Sequence, residues 1–366
     1  MDAVITILRE VRDPRDANAR HECASMLFAA LIATLCGAKN CVQIADFCAA
    51  NLADLKEFVD LRYGAPSHDS FSRLFRLLDP REMEQALAAF AKALREGLEL
   101  GPVNGVVAVD GKRLRRGYER GRAHLPPLMI SVWDSETRLS LAARASEDGN
   151  EVKATLEALK GLNLKGCVVT ADALHCHPAM AEAVRAQGAD FALKLKGNNG
   201  PLYELAQQTF AQADVAGGAP FAETEEFAHD RTERRRLSLA PAPEAANMPG
   251  LVMFGRMQSW RSLAGRKAKE FTYYVAFSKR FKPSKALKIV RRHWDVENGL
   301  HWRVDMTFDE DENRTRKNYA PHNLAIFRRM AIDILHHHPD NISISRKMKK
   351  AAWSKEYMLS LFTHMR

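Results

Sequence analysis

The sequence lacks several features that would assign it to a common class. No stretch approaches the ~20 apolar residues that cross a bilayer, so no membrane span is expected. The first residues mix acids and bases without a signal-peptide layout, which favours a cytoplasmic location. The six cysteines form no CxxC pair and are typical of reduced, mostly buried thiols, not of a disulfide or zinc framework. We find no internal repeat or low-complexity tract.

The composition indicates a globular protein with an unevenly distributed charge. Of the 366 residues, 46% are hydrophobic and 27% are charged, which excludes disorder as the main state. This length predicts two or three domains. The net charge is +9, but residues 1–100 hold 12 basic and 15 acidic residues, whereas residues 279–366 hold 19 and 10. A polyanionic partner is therefore expected at the C-terminal quarter.

Residues 1–100 are predicted to form an all-helical domain, because apolar residues recur at helical spacing. Residues 67–78 form one such segment, with Ser67 as a suitable N-cap. One interpretation is a helix-turn-helix in which Arg73 and Arg76 face DNA. The alternative is a helical packing domain, which the net acidic charge of this region equally supports.

Residues 101–338 are predicted to form an α/β domain with a mixed sheet and helices on its faces. The predicted strands and helices alternate, and they occupy residues 104–112, 128–146 (a hairpin), 151–162 (helix), 166–173, 178–188 (helix) and 189–198. A β-rich insertion is expected at about 199–271. A strand at 271–278, a long helix at 285–308 and another at 323–338 follow, and residues 339–366 are a basic tail.

Two acidic residues stand at the ends of otherwise apolar strands, Asp110 in VVAVDG and Asp172 in VVTADA. An unpaired carboxylate in such a place is costly, and the ends of strands are where α/β folds bind ligands. The alternative is that each carboxylate caps a turn. Two such acids on strands that should be neighbours favour a metal-binding pair.

The segment HWDVENGLHWRVD supplies a further candidate. On a helix, His293, Glu297 and His301 share one face because they are spaced by four residues. This spacing could ligate zinc. The alternative is that this face packs Trp294 and Trp302 against the sheet.

Taken in order over almost the whole chain, the sequence resembles the DDE transposases of bacterial insertion sequences, in the branch that includes the H-repeat-associated proteins. The resemblance rests on VAVDGKRLRRG, TADALHCHP, LKLKGNN and RRHWDVENGLHWRVDMTFDEDENRTRKNYAPHNLAIFRRMAIDIL. The N-terminal DPRDANARHECASMLFAALIATLCGAKNC resembles the helical domain associated with that branch. The resemblance implies an RNase H-like catalytic domain, with Asp110, Asp172 and Glu297 as catalytic, metal-binding acids. It also implies that the insertion helps to hold DNA ends.

This chemistry requires several carboxylates, because two Mg²⁺ ions activate the nucleophile and neutralise the leaving oxygen. Asp110 would bridge the ions, with Asp172 and Glu297 each binding one, and Mn²⁺ is an expected substitute. The expected partners are transposon ends and target DNA, bound by a homodimer, and the same site would cut strands and join 3′-OH ends. Two alternatives are a domesticated, non-cleaving DNA-binding protein and a metal-dependent nuclease without strand transfer.

Other residues are candidates for contact with DNA phosphates, although exposed, solvated charge explains the four that closely follow Asp110 equally well. They are Lys112, Arg113, Arg115, Arg116, Lys194, Lys196, Asn198, Arg292 and Arg303. Asp305 and the run 309–312 compete with Glu297 as third acid, but clustered acids more often pair with arginines, here expected to be Arg314 and Arg316. The Tyr, Arg and Lys that some related transposases carry around the glutamate are replaced here by Val290, His293 and Val304.

Overall fold

The computed structural model describes residues 1–119, 125–146, 148–228, 231–263 and 269–365. Within these ranges the strands form one mixed sheet in the order β3-β2-β1-β4-β5-β9-β8-β7-β6. The strands are β1 (Val106–Arg113), β2 (Leu128–Asp134), β3 (Leu139–Ser146), β4 (Val168–Ala171), β5 (Asp190–Leu195), β6 (Phe221–Ala228), β7 (Arg231–Pro241), β8 (Met253–Leu263) and β9 (Lys269–Phe277). Strands β1, β4 and β5 are parallel, and the other pairings are antiparallel. The mixed sheet expected from the sequence is confirmed.

The central strands are apolar on both faces because helices cover both sides of the sheet. The helices of this part are α7 (Glu151–Leu159), α8 (Pro178–Ala186) and α9 (Gly200–Val215). The insertion differs from the prediction in its first part, where α9 precedes the strands. Its strands do not form a separate layer, because β9 pairs with β5 and thereby extends the central sheet.

The N-terminal residues form the expected helices, whose apolar faces meet helices from the end of the chain in one core. The N-terminal helices are α1 (Asp2–Arg9), α2 (Cys23–Leu35), α3 (Cys41–Ala50), α4 (Leu52–Leu55), α5 (His68–Leu77) and α6 (Pro80–Gly97). Every residue of α2 is buried. Ser67 accepts a hydrogen bond from the Ser70 amide and caps α5, as its position predicts.

A series of short helical segments follows the insertion where the sequence predicts one long helix. The segments are α10 (Pro283–Arg292), α11 (Trp294–Val296), a π-helix (Glu297–His301) and α12 (Trp302–Phe308). The chain continues through α13 (Ala320–His337), α14 (Ile344–Trp353) and α15 (Lys355–Ser360). The basic segment after residue 339 is thus largely helical, and its Met348, Met358 and Leu361 join the core that contains α2.

The cysteines are free thiols, as the sequence predicts. Burial raises the pKa of Cys48 to about 12 and that of Cys41 to about 11, so these thiols stay protonated and unreactive. None of the helices in the described ranges is both long and apolar enough to span a bilayer.

Candidate active site

Asp110 and Asp172 lie at neighbouring positions of the central sheet. The parallel pairing of β1 with β4 ends with Val109 opposite Ala171, so each acid directly follows the last paired residue of its strand. β1 itself continues to Arg113 in its pairing with β2. The prediction that these two strands are neighbours is confirmed, and the two carboxylates emerge at the edge where such sheets bind ligands.

Glu297 is the first residue of the π-helix, a single turn in which the helical segment is wider than an α-helix. Its carboxyl group lies close to that of Asp110 on β1. Such π turns are rare and are frequently found at functional sites. Gly299 lies in the same turn, and a Cβ atom added to it would stand only 3.2 Å from the ring of Trp133. A glycine at this position therefore lets the π turn pack directly on β2.

Asp110, Glu297 and His301 form a compact group in which one ligand atom from each lies within 4.8 Å of the others. His301 Nδ1 is 3.3 Å from Asp110 Oδ2 and 3.9 Å from Glu297 Oε2. The side chains of His301 and Asp110 are only 7% and 16% exposed, whereas that of Glu297 is 51% exposed. The group therefore has a buried floor and an open side at Glu297.

The pKa values of the two carboxyl groups in this cluster are shifted in opposite directions. Burial opposes ionisation of Asp110, but the hydrogen bond from His301 and the charge of that ring outweigh it, so the pKa of Asp110 is lowered. Burial raises the pKa of Glu297, and the negative charge of Asp110 raises it further. Perturbed pKa values of this kind cluster at functional sites.

Asp172 occupies the same edge of the sheet but lies outside the three-residue group. Its Oδ1 is 3.4 Å from Lys194 Nζ, is shielded from solvent and accepts no hydrogen bond within the described residues. Burial raises the pKa of Asp172, but the Ala173 amide and the charges of Lys194 and Lys196 outweigh it, so the pKa is lowered. Asn198 Nδ2 donates to the Ala173 oxygen at 2.8 Å and fixes the turn that follows Asp172.

A groove of about 850 Å³, here called the basic groove, opens beside Lys194. It is bounded by the insertion strands on one side and by α10 and α11 on the other. Its walls carry basic and aromatic side chains, among them Lys194, Lys196, Arg231, Arg235, Arg261, Arg291, Phe271, Tyr273 and Trp294. Lys194 Nζ lies 5.0 Å from the ring centre of Tyr273 and 5.7 Å from that of Trp294. The insertion thus brings basic and aromatic residues to the edge of the sheet that holds Asp172.

The acidic run 309–312 is paired with bases from several distant parts of the chain. The ion pairs are Lys39–Asp309 at 2.6 Å, Arg328–Glu310 and Arg329–Glu310 at 3.6 Å each, Lys112–Asp311 at 2.5 Å, Arg115–Asp311 at 3.1 Å and Arg116–Glu312 at 3.1 Å. Arg314 and Arg316, the partners expected from the sequence, are not among these pairs. Arg316 donates instead to the Arg116 oxygen at 3.1 Å.

These contacts engage most of the basic residues that follow Asp110. Lys112, Arg115 and Arg116 each meet an acid of the run, while Arg113 donates to the Pro126 oxygen at 3.3 Å. Lys112 also lowers the pKa of Glu297, although less than burial and Asp110 raise it. Three of these four bases are therefore already paired with carboxylates.

The arginines that flank Glu297 in the sequence have different surroundings. Arg292 donates to the Ser135 oxygen at 2.8 Å and pairs with Glu136 at 3.1 Å, which ties α10 to the turn between β2 and β3. Arg303 lies with His336 in a separate cavity. Neither belongs to the Asp110 group, and contact of either with DNA stays a prediction.

The two arginines of α5 lie on a helix that packs against α13. Phe75 meets Phe327 edge to face at 5.1 Å between ring centres, and Asn323 Nδ2 donates to the Phe75 oxygen at 2.9 Å. Arg73 pairs with Asp16 at 3.4 Å, and Arg76 Nε is shielded from solvent. The helix thus has a clear packing role, and its contact with DNA stays a prediction.

The contacts of two residues in this region were not predicted from the sequence. His301 was visible through its four-residue spacing from Glu297, but its contact with Asp110 depends on how the helix docks on β1. Glu310 is fully buried between Arg328 and Arg329, and no local pattern in the acidic run distinguishes it from its exposed neighbours.

Comparison with known proteins identifies the family to which the chain belongs. Residues 101–334 match the family described as Transposase DDE domain, and residues 5–91 match the one described as DDE_Tnp_1-associated. The chain is 28% identical to "Putative protein YbfL" of Escherichia coli K12, covering 96% of this chain and 95% of that protein. It is 28% identical to the "H repeat-associated putative transposase YhhI" of the same organism, covering 93% and 92%. An uncharacterized protein in the dhlA 3′ region of Xanthobacter autotrophicus is 33% identical, covering 72% and 91%. The chain therefore belongs to the DDE transposase family of insertion sequences, which implies an RNase H-like fold, DNA binding and the use of a divalent metal.

Proposed function

We propose that the chain is a DNA transposase that cuts phosphodiester bonds at the ends of an insertion sequence and joins the 3′-OH ends to target DNA. The observation that carries the proposal is the meeting of Asp110 and Glu297 in one cluster, with Asp172 at the end of the adjacent strand. The residues come from three separate parts of the chain, and their order matches that of the family resemblance.

The donor chemistry at this edge of the sheet fits a hard divalent cation. Carboxylate oxygens are the ligands that such cations prefer, and Asp172 Oδ1 is shielded from solvent beside the positive charge of Lys194, at 3.4 Å. We propose Asp110, Asp172 and Glu297 as the ligands and Mg²⁺ as the cofactor, in two ions, with Mn²⁺ as a substitute. When bound, such ions activate water or a 3′-OH and neutralise the leaving oxygen.

The residues of the chain have separate tasks in this proposal. The lowered pKa of Asp110 keeps its carboxylate ionised and ready to bind a cation at neutral pH. Lys194, Lys196 and the arginines of the basic groove hold the DNA backbone, and the aromatic side chains contact sugars and bases. No covalent nucleophile of the protein is required.

The positions of the Tyr, Arg and Lys found in some relatives hold groups unsuited to the same tasks. Val290 and Val304 are buried apolar residues, and the His293 ring lies 3.1 Å from the Thr170 hydroxyl. A flipped base and a hairpin intermediate are therefore not part of this proposal.

The proposal is tested with a supercoiled plasmid that carries the terminal repeats of the element, incubated with the protein and Mg²⁺. We expect nicking followed by joining to target DNA. Asp110→Ala should abolish both while DNA binding stays largely intact, and the matched control Asp148→Asn, which alters an exposed acid, should behave as the native protein.

Three outcomes would contradict this assignment. Nicking of any DNA without joining would identify a nuclease, and binding without cleavage would identify a non-cleaving DNA-binding protein. Normal cleavage by Asp110→Ala would show that the catalytic acids are elsewhere.

A further inference from the structure

The helical segment that carries Glu297 faces two different environments. His301 is buried against Asp110, whereas the next residue, Trp302, is 60% exposed. Trp302 opens onto a cavity of about 1030 Å³ between α12 and α14, together with the connection from α13 to α14. We call this cavity the C-terminal groove. It is separate from the basic groove, with which it shares no lining residue.

Large apolar side chains are exposed to solvent in the C-terminal groove. Trp302 is 60%, Met306 is 62% and Trp353 is 79% exposed. Large apolar side chains gathered in one depression are typical of a binding site. Exposed indole rings in particular are platforms on which nucleic-acid bases stack.

The charge around these rings is predominantly positive. Lys39, Arg303, Lys347 and Lys349 line the groove, against Asp340 as acid. Lys39 is neutralised by Asp309 at 2.6 Å, so the positive excess comes from Arg303, Lys347 and Lys349. Asp340 already pairs with Lys350 at 2.8 Å and accepts a hydrogen bond from Tyr357 at 3.1 Å, so its charge is largely neutralised. This imbalance favours an anionic occupant and disfavours a second copy of the same surface, which would bring like charges together.

Individual groups in the groove are available to such an occupant. Arg303 lines the groove, and its guanidinium group forms no ion pair with the residues that the structure describes. Lys349 is exposed and forms no ion pair with any described residue. Helix α14 begins in the wall of the groove, capped by Ser343, and adds the positive end of its dipole.

We propose that the C-terminal groove binds single-stranded DNA, with bases stacked on Trp302 and Trp353 and phosphates held by Arg303 and Lys349. Aromatic platforms beside a basic wall are the arrangement that binds single strands without sequence preference. A cavity of this volume compares with a small-molecule pocket, which suits a few unstacked nucleotides. The inference concerns binding only and does not require that the chain cleave DNA.

The test uses the full-length protein, a labelled short oligothymidylate and a duplex of equal length. Trp353→Ala and Lys349→Glu change exposed side chains and should each weaken oligothymidylate binding by about tenfold, measured by fluorescence anisotropy. The controls Tyr63→Ala, at a residue 63% exposed in the N-terminal region, and Lys92→Glu, with a side chain 79% exposed, should bind as the native protein. Duplex binding and plasmid cleavage should be unchanged in all four variants.

Photocrosslinking with an iodouracil-substituted oligonucleotide locates the bound strand. Crosslinks in residues 302–306 or 341–353 support the proposal. Crosslinks confined to the basic groove, or unchanged oligothymidylate affinity in Trp353→Ala, would overturn it. It would also be overturned if sedimentation velocity showed that the variants lose self-association while their oligothymidylate affinity is unchanged. Failure of plasmid cleavage by the native protein would count against the proposed function alone.

Discussion

His301 Nδ1 lies 3.3 Å from Asp110 Oδ2, so one buried imidazole links the central strand to the segment that carries Glu297. The same nitrogen is 3.9 Å from Glu297 Oε2. The ring therefore stands between two carboxylates that would otherwise repel each other at short range. Because it is buried, it also fixes where the π-helix docks on β1.

Replacing this ring should raise the pKa of Asp110. Burial opposes the lowered pKa of this group, and the hydrogen bond and charge of His301 are the largest contributions that lower it, so in His301→Leu burial is opposed only by the smaller contributions of His293 and Glu297. An acid with a lowered folded-state pKa stabilises the protein above its unfolded pKa, and this contribution is lost as the pH falls through the folded value. In the variant the folded pKa lies closer to the unfolded value, so this group should contribute less stability at neutral pH and less of it should be lost on acidification.

Carbon-13 NMR of labelled aspartates would measure this shift, and urea unfolding at several pH values would measure its effect on stability. His68→Leu, at an exposed histidine, is the matched control. An unchanged Asp110 titration in His301→Leu would show that another group lowers the pKa.

Removing the charge of Asp311 should strengthen non-specific DNA binding. Asp311 is held by Lys112 at 2.5 Å and Arg115 at 3.1 Å, and Asp311→Asn would release both bases for phosphate contacts. The slope of log affinity against log salt should steepen by about 1 to 2, since each new phosphate contact adds about 0.9. Affinity for random duplex measured over a salt series tests this, with Asp148→Asn as control. An unchanged slope would mean that these bases do not reach DNA.

Glu310 should be a major determinant of stability. Its fully buried carboxylate lies 3.6 Å from both Arg328 and Arg329, which are themselves buried. Glu310→Gln would leave two buried guanidinium groups without a counter-charge, at a cost of about 3–5 kcal/mol in the free energy of unfolding. Urea denaturation would measure the loss, and Glu312→Gln, at an exposed position of the same run, should change stability far less. Equal effects of the two changes would contradict this assignment.

Asp333 should make the protein less stable as the pH rises. Burial raises its pKa well above the ordinary value, although hydrogen bonds from the Ser140 amide and hydroxyl oppose the rise. From the unfolded pKa of about 3.9 up to the raised folded value, the folded state binds more protons than the unfolded state. Stability therefore falls across this interval.

Asp333→Asn mimics the protonated acid and can keep both contacts with Ser140. It should flatten this part of the pH dependence and should be at least as stable as the native protein at neutral pH. Urea unfolding between acid and neutral pH measures both effects, with Asp69→Asn as a control at an exposed acid. The same slope in the variant and the native protein would show that Asp333 is ionised throughout.

The central strands and their acids could be predicted because each stands in a short apolar run that only a buried strand accommodates. The expected adjacency of the two strands is confirmed by the pairing of β1 with β4, which brings Asp110 and Asp172 to the same end of the sheet. His301 could not be assigned in this way. Its partner depends on a π turn and on the docking of a helix across the sheet, neither of which has a sequence pattern that identifies it.

Other features were not predictable because they depend on contacts between distant segments. The insertion strands extend the central sheet only because β9 pairs with β5, and nothing in either strand specifies that partner. The acidic run looked uniform, yet its bases come from the N-terminal region, the end of β1 and α13. Charge patterns identify surfaces that attract each other, whereas tertiary structure decides which ones meet.

The complete burial of α2 has a consequence for how the chain folds during synthesis. Its 13 residues are apolar almost throughout, and they pack partly on α13 and α14. A ribosome adding about 5–20 residues per second makes α2 many seconds before it makes α13. Until α13 and α14 are made, the apolar side chains of α2 that they cover stay exposed. A newly made chain therefore presents an apolar surface of the kind that chaperones bind. The N-terminal helices are therefore made first but reach their final packing last.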